Sequence, residues 1–206
     1  MNVYVESNFV LEQALEQEQC ESCEQLIGLA SAGSVQLVIP GFSLAEPHST
    51  LLQKKNARSR LVSDLRPHLR ELARSRSYRE VSANFDEVAD LLLRSTERER
   101  AGLQRTVERL LKAAQVIPLD SYVLGLAQML EAGYDIPAQD SIVLASIVSH
   151  LGKTKPAASC FLNRNTKDFD HPSVRGMLDE HGCKFFGRFD EGLQYIETRL
   201  AKSGSD

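Results

Sequence analysis

The sequence predicts a three-layer α/β/α fold around a mainly parallel sheet of four to five strands. Three observations lead there. Short runs rich in β-branched and aromatic residues alternate with longer helical stretches, the pattern of strands joined by crossover helices. Residues 142–148 are apolar nearly all round, so their helix belongs in the interior. Two long leucine-periodic stretches separate the second strand from the third and then return to it, which makes them an enlargement of one domain. That domain covers residues 1–206, with a helical excursion over about 54–114.

The elements follow in order. Val3, Tyr4 and Val5 favour a pleated, buried surface. The strand stops on Glu6, and Ser7 and Asn8 favour turns and helix caps. Residues 9–19 and 20–32 read as helices, the second with Leu26, Ile27, Leu29 and Ala30 on one face and Gly33 at its end. A second strand spans 35–39 and closes on Pro40 and Gly41. Residues 42–75 carry Leu51, Leu52, Leu61, Val62, Leu65, Leu69 and Leu72 at helical spacing, with an interruption at Pro67. A break is expected at 81–84, then a helix over 85–115 whose polar middle, 96–100, predicts a turn. The third strand falls at 116–120, and a helix over 122–132 ends at Gly133. Pro137 opens the apolar helix from a favourable first position. A fourth strand at 158–162 leads into a polar turn at 163–168, and then come a helix at 174–180, a strand at 183–186 and a closing helix at 189–201.

Composition bounds the function. Of 206 residues, 42% are hydrophobic and 25% charged, as in ordinary soluble domains. The first residues lack the basic and apolar regions of a signal peptide. No apolar run approaches the ~18 residues a membrane helix needs. The expectation is a cytoplasmic protein with no membrane partner. Cys20 and Cys23 lie in an acidic helical stretch without a nearby histidine, and Cys160 and Cys183 lie in apolar runs. Free thiols are therefore expected rather than a zinc site.

Charge is unevenly placed. Residues 54–112 hold 15 Lys and Arg against 9 Asp and Glu, while the whole chain is at −4. Such a basic segment suits either a nucleic-acid footprint or a solvated helix face. Lys54, Lys55, Arg58 and Arg164 are the candidate phosphate contacts.

Four acids share a topological position. Glu6 ends the first strand, Glu46 follows the second, Asp140 starts the apolar helix and Asp168 follows the fourth strand. In a parallel sheet the strand C-termini share one edge, so these acids can converge. Each also has a local explanation. Ser43 and Glu46 fit a capping box, Asp140 suits a helix dipole, and Asp168 suits a turn. Together, four carboxylates repel unless a cation offsets them, and hard oxygen ligands suit Mg2+ or Mn2+.

At these residues the sequence resembles the PIN-domain family of ribonucleases. Residues Val3 through Asn8 resemble its opening strand and acid-Ser/Thr-Asn motif, with Glu6 where the family has Asp. Phe42 through Glu46, Pro137 through Ala145 and Leu162 through Phe169 are similar to its later acid-bearing segments. The resemblance covers nearly the whole chain. It implies a metal-dependent endoribonuclease in which Glu6, Glu46, Asp140 and Asp168 hold one or two Mg2+ or Mn2+ ions. Ser7, Asn8 and Asn165 would orient those carboxylates. RNA is the implied substrate; an antitoxin, another protein partner or a second copy in a homodimer are further implied partners. The alternative is a PIN-like module that binds RNA or a protein without cutting. A phosphatase-type hydrolase is disfavoured because no Asp-x-Asp follows the first strand.

Overall fold

The computed structural model describes residues 1–134 and 136–203. Its centre is β1 (Asn2–Tyr4), flanked in one sheet by β2 (Gln36–Pro40), β3 (Ala114–Ile117), β4 (Ser159–Leu162) and β5 (Cys183–Phe186). The order is β3-β2-β1-β4-β5, and every pairing is parallel. The chain fills one side of β1 first and the other side last. The order of strands therefore reverses between β1 and β4, where open α/β sheets place a crevice beyond the strand C-termini.

Side-chain alternation splits the core into two layers. Val3, Leu37, Ile39, Cys160 and Leu162 face one way. They pack with residues of α1 (Ser7–Ala14), α2 (Cys20–Ser31) and α9 (Phe189–Ser203). Tyr4, Val38, Phe161 and Cys183 face the other way, against α5 (Ser121–Tyr134), α6 (Ala138–Thr154) and α8 (Pro172–Glu180). Strands buried on both faces read as continuous apolar runs, and Ser159 through Leu162 are all buried. As expected for the run at 142–148, Leu144, Ala145 and Ile147 of α6 are fully buried.

Between β2 and β3 stand two long helices, α3 (Gly41–Leu72) and α4 (Arg79–Ala113). Here the structure departs from the sequence reading. The break lies at 73–78, not 81–84, and α3 runs through both Pro47 and Pro67. Proline frees the carbonyl four residues back; Pro67 and Ser63 are both exposed, so that carbonyl meets water. Residues 96–100 are helical, not a turn. Their polarity is matched from outside: both guanidinium nitrogens of Arg58 donate to Glu99 at 2.8 Å, and Arg98 pairs with Glu16. Ser43 is no capping residue. It lies inside the first turn, after the N-cap Pro40, and its buried Oγ has no partner among the described residues.

Smaller shifts have local causes. α1 stops at Ala14, and Glu16 turns the chain with a φ of +51°. β3 ends at Ile117, before Pro118, which has no N–H to donate. Gly133 lies within α5 rather than after it. The residues after β4 form a single helical turn, α7 (Thr166–Phe169), instead of an open turn. Among the described residues no helix is long and apolar enough to cross a membrane.

Candidate functional site

β1 delivers Glu6 to the crevice between β1 and β4. Glu6 is extended, with φ −139° and ψ −164°, and caps α1: its Oε1 accepts the Asn8 backbone N–H at 3.0 Å. The carboxyl is 6% exposed. Glu46, on the second turn of α3, is half-buried, and its Oε2 accepts a short hydrogen bond from Ser7 Oγ. Asp140 is in the first turn of α6, and Asp168 lies in α7.

A polar relay links these elements. Asn8 Nδ2 donates to Asn163 Oδ1 at 3.1 Å. The same oxygen accepts the Asn165 backbone N–H at 2.8 Å, and Asn165 Nδ2 donates to Asp140 Oδ1 at 3.4 Å. Asn163 is fully buried and joins α1 to the chain after β4. The sequence reading put it at the head of the polar turn and not among the site residues. The signal was a polar residue directly after a fully buried strand; its Oδ1 accepts twice, while its buried Nδ2 has no partner among the described residues.

Electrostatics group the four acids. Burial pushes the Glu6 carboxyl up to about 8, with Glu46 and Asp140 adding to the rise. Asp140 is pushed up to about 6 by burial, then by Asp168 and Glu46. The charges acting on both are carboxylates, with no Lys or Arg among them. All four predicted acids are thus within electrostatic reach of at least one other at the sheet's C-terminal edge. Perturbed carboxyls clustered in a crevice are what functional sites tend to contain.

No family model matches the chain. No curated protein matches it either.

The donor set suits a hard divalent cation, since every member is a carboxylate. The side chains are, however, turned to other partners. Glu6 caps a helix, Glu46 holds Ser7 and Asp140 holds Asn165. Among the described residues no group of three or more His, Cys, Asp or Glu is arranged to hold a metal ion. Each of those hydrogen bonds uses one oxygen of its carboxylate.

The candidate phosphate contacts separate. Lys54 and Arg164 line one cavity of about 280 Å3 together with Asn8. Arg164 is held there by Glu12 at 2.5 Å and Glu18 at 3.0 Å. Glu12 is 1% exposed and also takes the Gln19 backbone N–H, so this ion pair is structural as well as local. Arg58 is engaged by Glu99 and Ser95 between the long helices. Lys55 opens on a different groove, away from Asn8. The four cysteines are free, and only Cys20 is not buried.

Proposed function

We propose that the chain is a PIN-type, metal-dependent endoribonuclease whose centre is the pocket of Glu6, Glu46, Asp140 and Asp168. One observation carries the reading: four carboxylates drawn to one sheet edge at the strand-order reversal, with no cationic side chain among the described residues acting on Glu6 or Asp140. Those four residues would hold Mg2+ or Mn2+. Such an ion, when bound, supplies Lewis acidity and an activated water for phosphodiester hydrolysis.

The chain's own groups have separable tasks. Ser7 fixes the orientation of Glu46, and Asn165 that of Asp140. Asn163 sets Asn8 and Asn165 relative to each other by accepting from both. Lys54, half-buried beside Asn8, offers a cation to a phosphate entering from the α1 side. Asp140→Asn tests the site directly. Calorimetry should show Mn2+ binding to the wild type and a loss of about tenfold or more in the variant, together with loss of Mn2+-dependent RNA cleavage. Equal Mn2+ binding by both proteins removes the site.

A second reading has its own observation. The engagement of Glu6, Glu46 and Asp140 with protein partners favours a module that binds RNA without cutting it. In that case RNA binds, Mn2+ leaves binding unchanged, and no cleavage accompanies it.

A further inference from the structure

Two cavities lie end to end along one side of the α3–α4 hairpin. The larger, about 590 Å3, has Leu51 and Leu103 as its floor, Leu52 and Leu93 as walls, and Lys55 and Arg100 at its rim. The smaller, about 330 Å3, is near the hairpin tip and gathers Arg66, Arg70 and Arg79 around Phe85 and Asp86. Lys55, Ser59, Arg66 and Arg70 recur at steps of four, seven and four, so they share one face of α3. Both cavities therefore belong to one groove.

The groove is apolar within and basic at its edges. Leu52 is 57% exposed and Leu93 39%, so the apolar lining of the groove reaches the surface. Five cations line it against the two acids Glu97 and Asp86. Among the described residues none of the five is in an ion pair. In a chain of net charge −4 this is a local reversal of sign.

The groove is not the approach to the acid pocket. Glu46 faces α1 through Ser7, whereas His48 lines the groove. Two residues along a helix are about 200° apart around its axis, so the two sites open on opposite sides of α3. Among the described residues, the larger cavity, with its leucine floor and walls, offers an apolar surface with no Phe, Tyr or Trp in its lining, while Phe85 is the one ring among the arginines of the smaller. Single-stranded nucleic acid favours a succession of ring faces for stacking.

We propose that the groove docks an acidic amphipathic helix of a partner protein. Its apolar stripe would lie on Leu51, Leu52, Leu93 and Leu103, and its acidic flanks would meet Lys55, Arg100, Arg66 and Arg70. From Leu52 to Arg70 the groove is about 27 Å long, the length of roughly five helical turns.

The test uses the full chain and fluorescence anisotropy with three labelled probes. One is a synthetic 18-residue helix, about the length of the groove, with leucines at helical spacing and glutamates on both flanks. The second replaces each glutamate with lysine. The third is a single-stranded RNA of mixed sequence. The acidic peptide should bind saturably and the lysine peptide should not. Binding should fall about tenfold or more in the double variant Lys55→Glu, Arg100→Glu, and in Leu93→Asp, while Asp140→Asn leaves it unchanged. These residues are exposed, and circular dichroism checks that the variants fold. Equal binding of both peptides, or no saturable binding of the acidic one, overturns the proposal. So does RNA binding that is lost on the two charge reversals, or a dimer in sedimentation that those reversals disperse. None of these outcomes depends on whether the acid pocket cleaves RNA.

Discussion

Glu6 is asked to do two things with one carboxylate. Oε1 caps α1, and the group as a whole is buried beside Glu46 and Asp140. If it also serves a cation, its length matters. Glu6→Asp would retract the carboxylate by about one C–C bond, a misplacement large enough to lower the rate. RNA cleavage at saturating Mn2+ should therefore fall, and Glu6→Gln should abolish it. Without divalent ions the sign reverses for stability: with its pKa pushed up to about 8, Glu6 must take up a proton to fold at neutral pH, and Glu6→Gln removes that cost. The metal-free variant should melt roughly 2–4 °C higher than the wild type. A rise in cleavage for Glu6→Asp would instead favour the binding-module reading. His150 gives a second prediction at this scale. Its Nδ1 shares a 2.8 Å hydrogen bond with Tyr4 Oη, and burial, then Lys153, lowers its pKa below 6.5. The fold thus prefers neutral His150. Its contribution is intact above about pH 6.5 and is lost as pH falls through the folded pKa. Melting scans from pH 7 to 5 should decline less steeply in His150→Gln than in the wild type; parallel curves would remove His150 as the cause. The grouping of the four acids was readable because Glu6 follows β1, Asp140 opens α6, and Glu46 and Asp168 come six residues after β2 and β4. Asn163 was not, because its role depends on Asn8, 155 positions away.

The long helices dock through a backbone contact as well as through side chains. A Cβ on Gly102 would meet the Ala14 carbonyl oxygen at 2.3 Å, so α4 lies directly against the end of α1. Gly102→Ala should cost about 1–3 kcal/mol, read as a lower urea midpoint, and should loosen the element that carries Ser7. An unchanged midpoint would mean that α4 can shift without loss. The strands β1, β2 and β4 and the helix α6 were legible from sequence because their runs are mostly apolar, whereas β3 was expected two residues late because Gln115 interrupts its start. The hairpin was not, for a physical reason. Its polar middle looked like a turn only because the residues satisfying it, Arg58 and Glu16, come from distant parts of the chain. Pro67 looked like a stop, yet an exposed carbonyl can bond to water and the helix continues.

In the whole molecule the hairpin is the part that can be cut. Arg74 and Arg76 are exposed in the connection between α3 and α4. Proteases prefer such tips, so brief trypsin digestion should nick there first, detected by intact mass. The two fragments should stay together in gel filtration, since β1, β2 and β3 remain paired across the cut. First cleavage elsewhere would place the least protected segment outside the hairpin.

The central position of β1 has a consequence during synthesis. Its second neighbour, β4, begins only at Ser159, after the long excursion and two more helices. At roughly 5–20 residues per second, the nascent chain spends about 6–24 s with β2 made and β4 absent. Through that interval one edge of β1 has no strand to pair with, a condition that invites pairing with other chains. Asn163 and Asp168 emerge later still. A partly made chain therefore carries half a crevice, and the acid pocket closes only after β4 and α7 have been made.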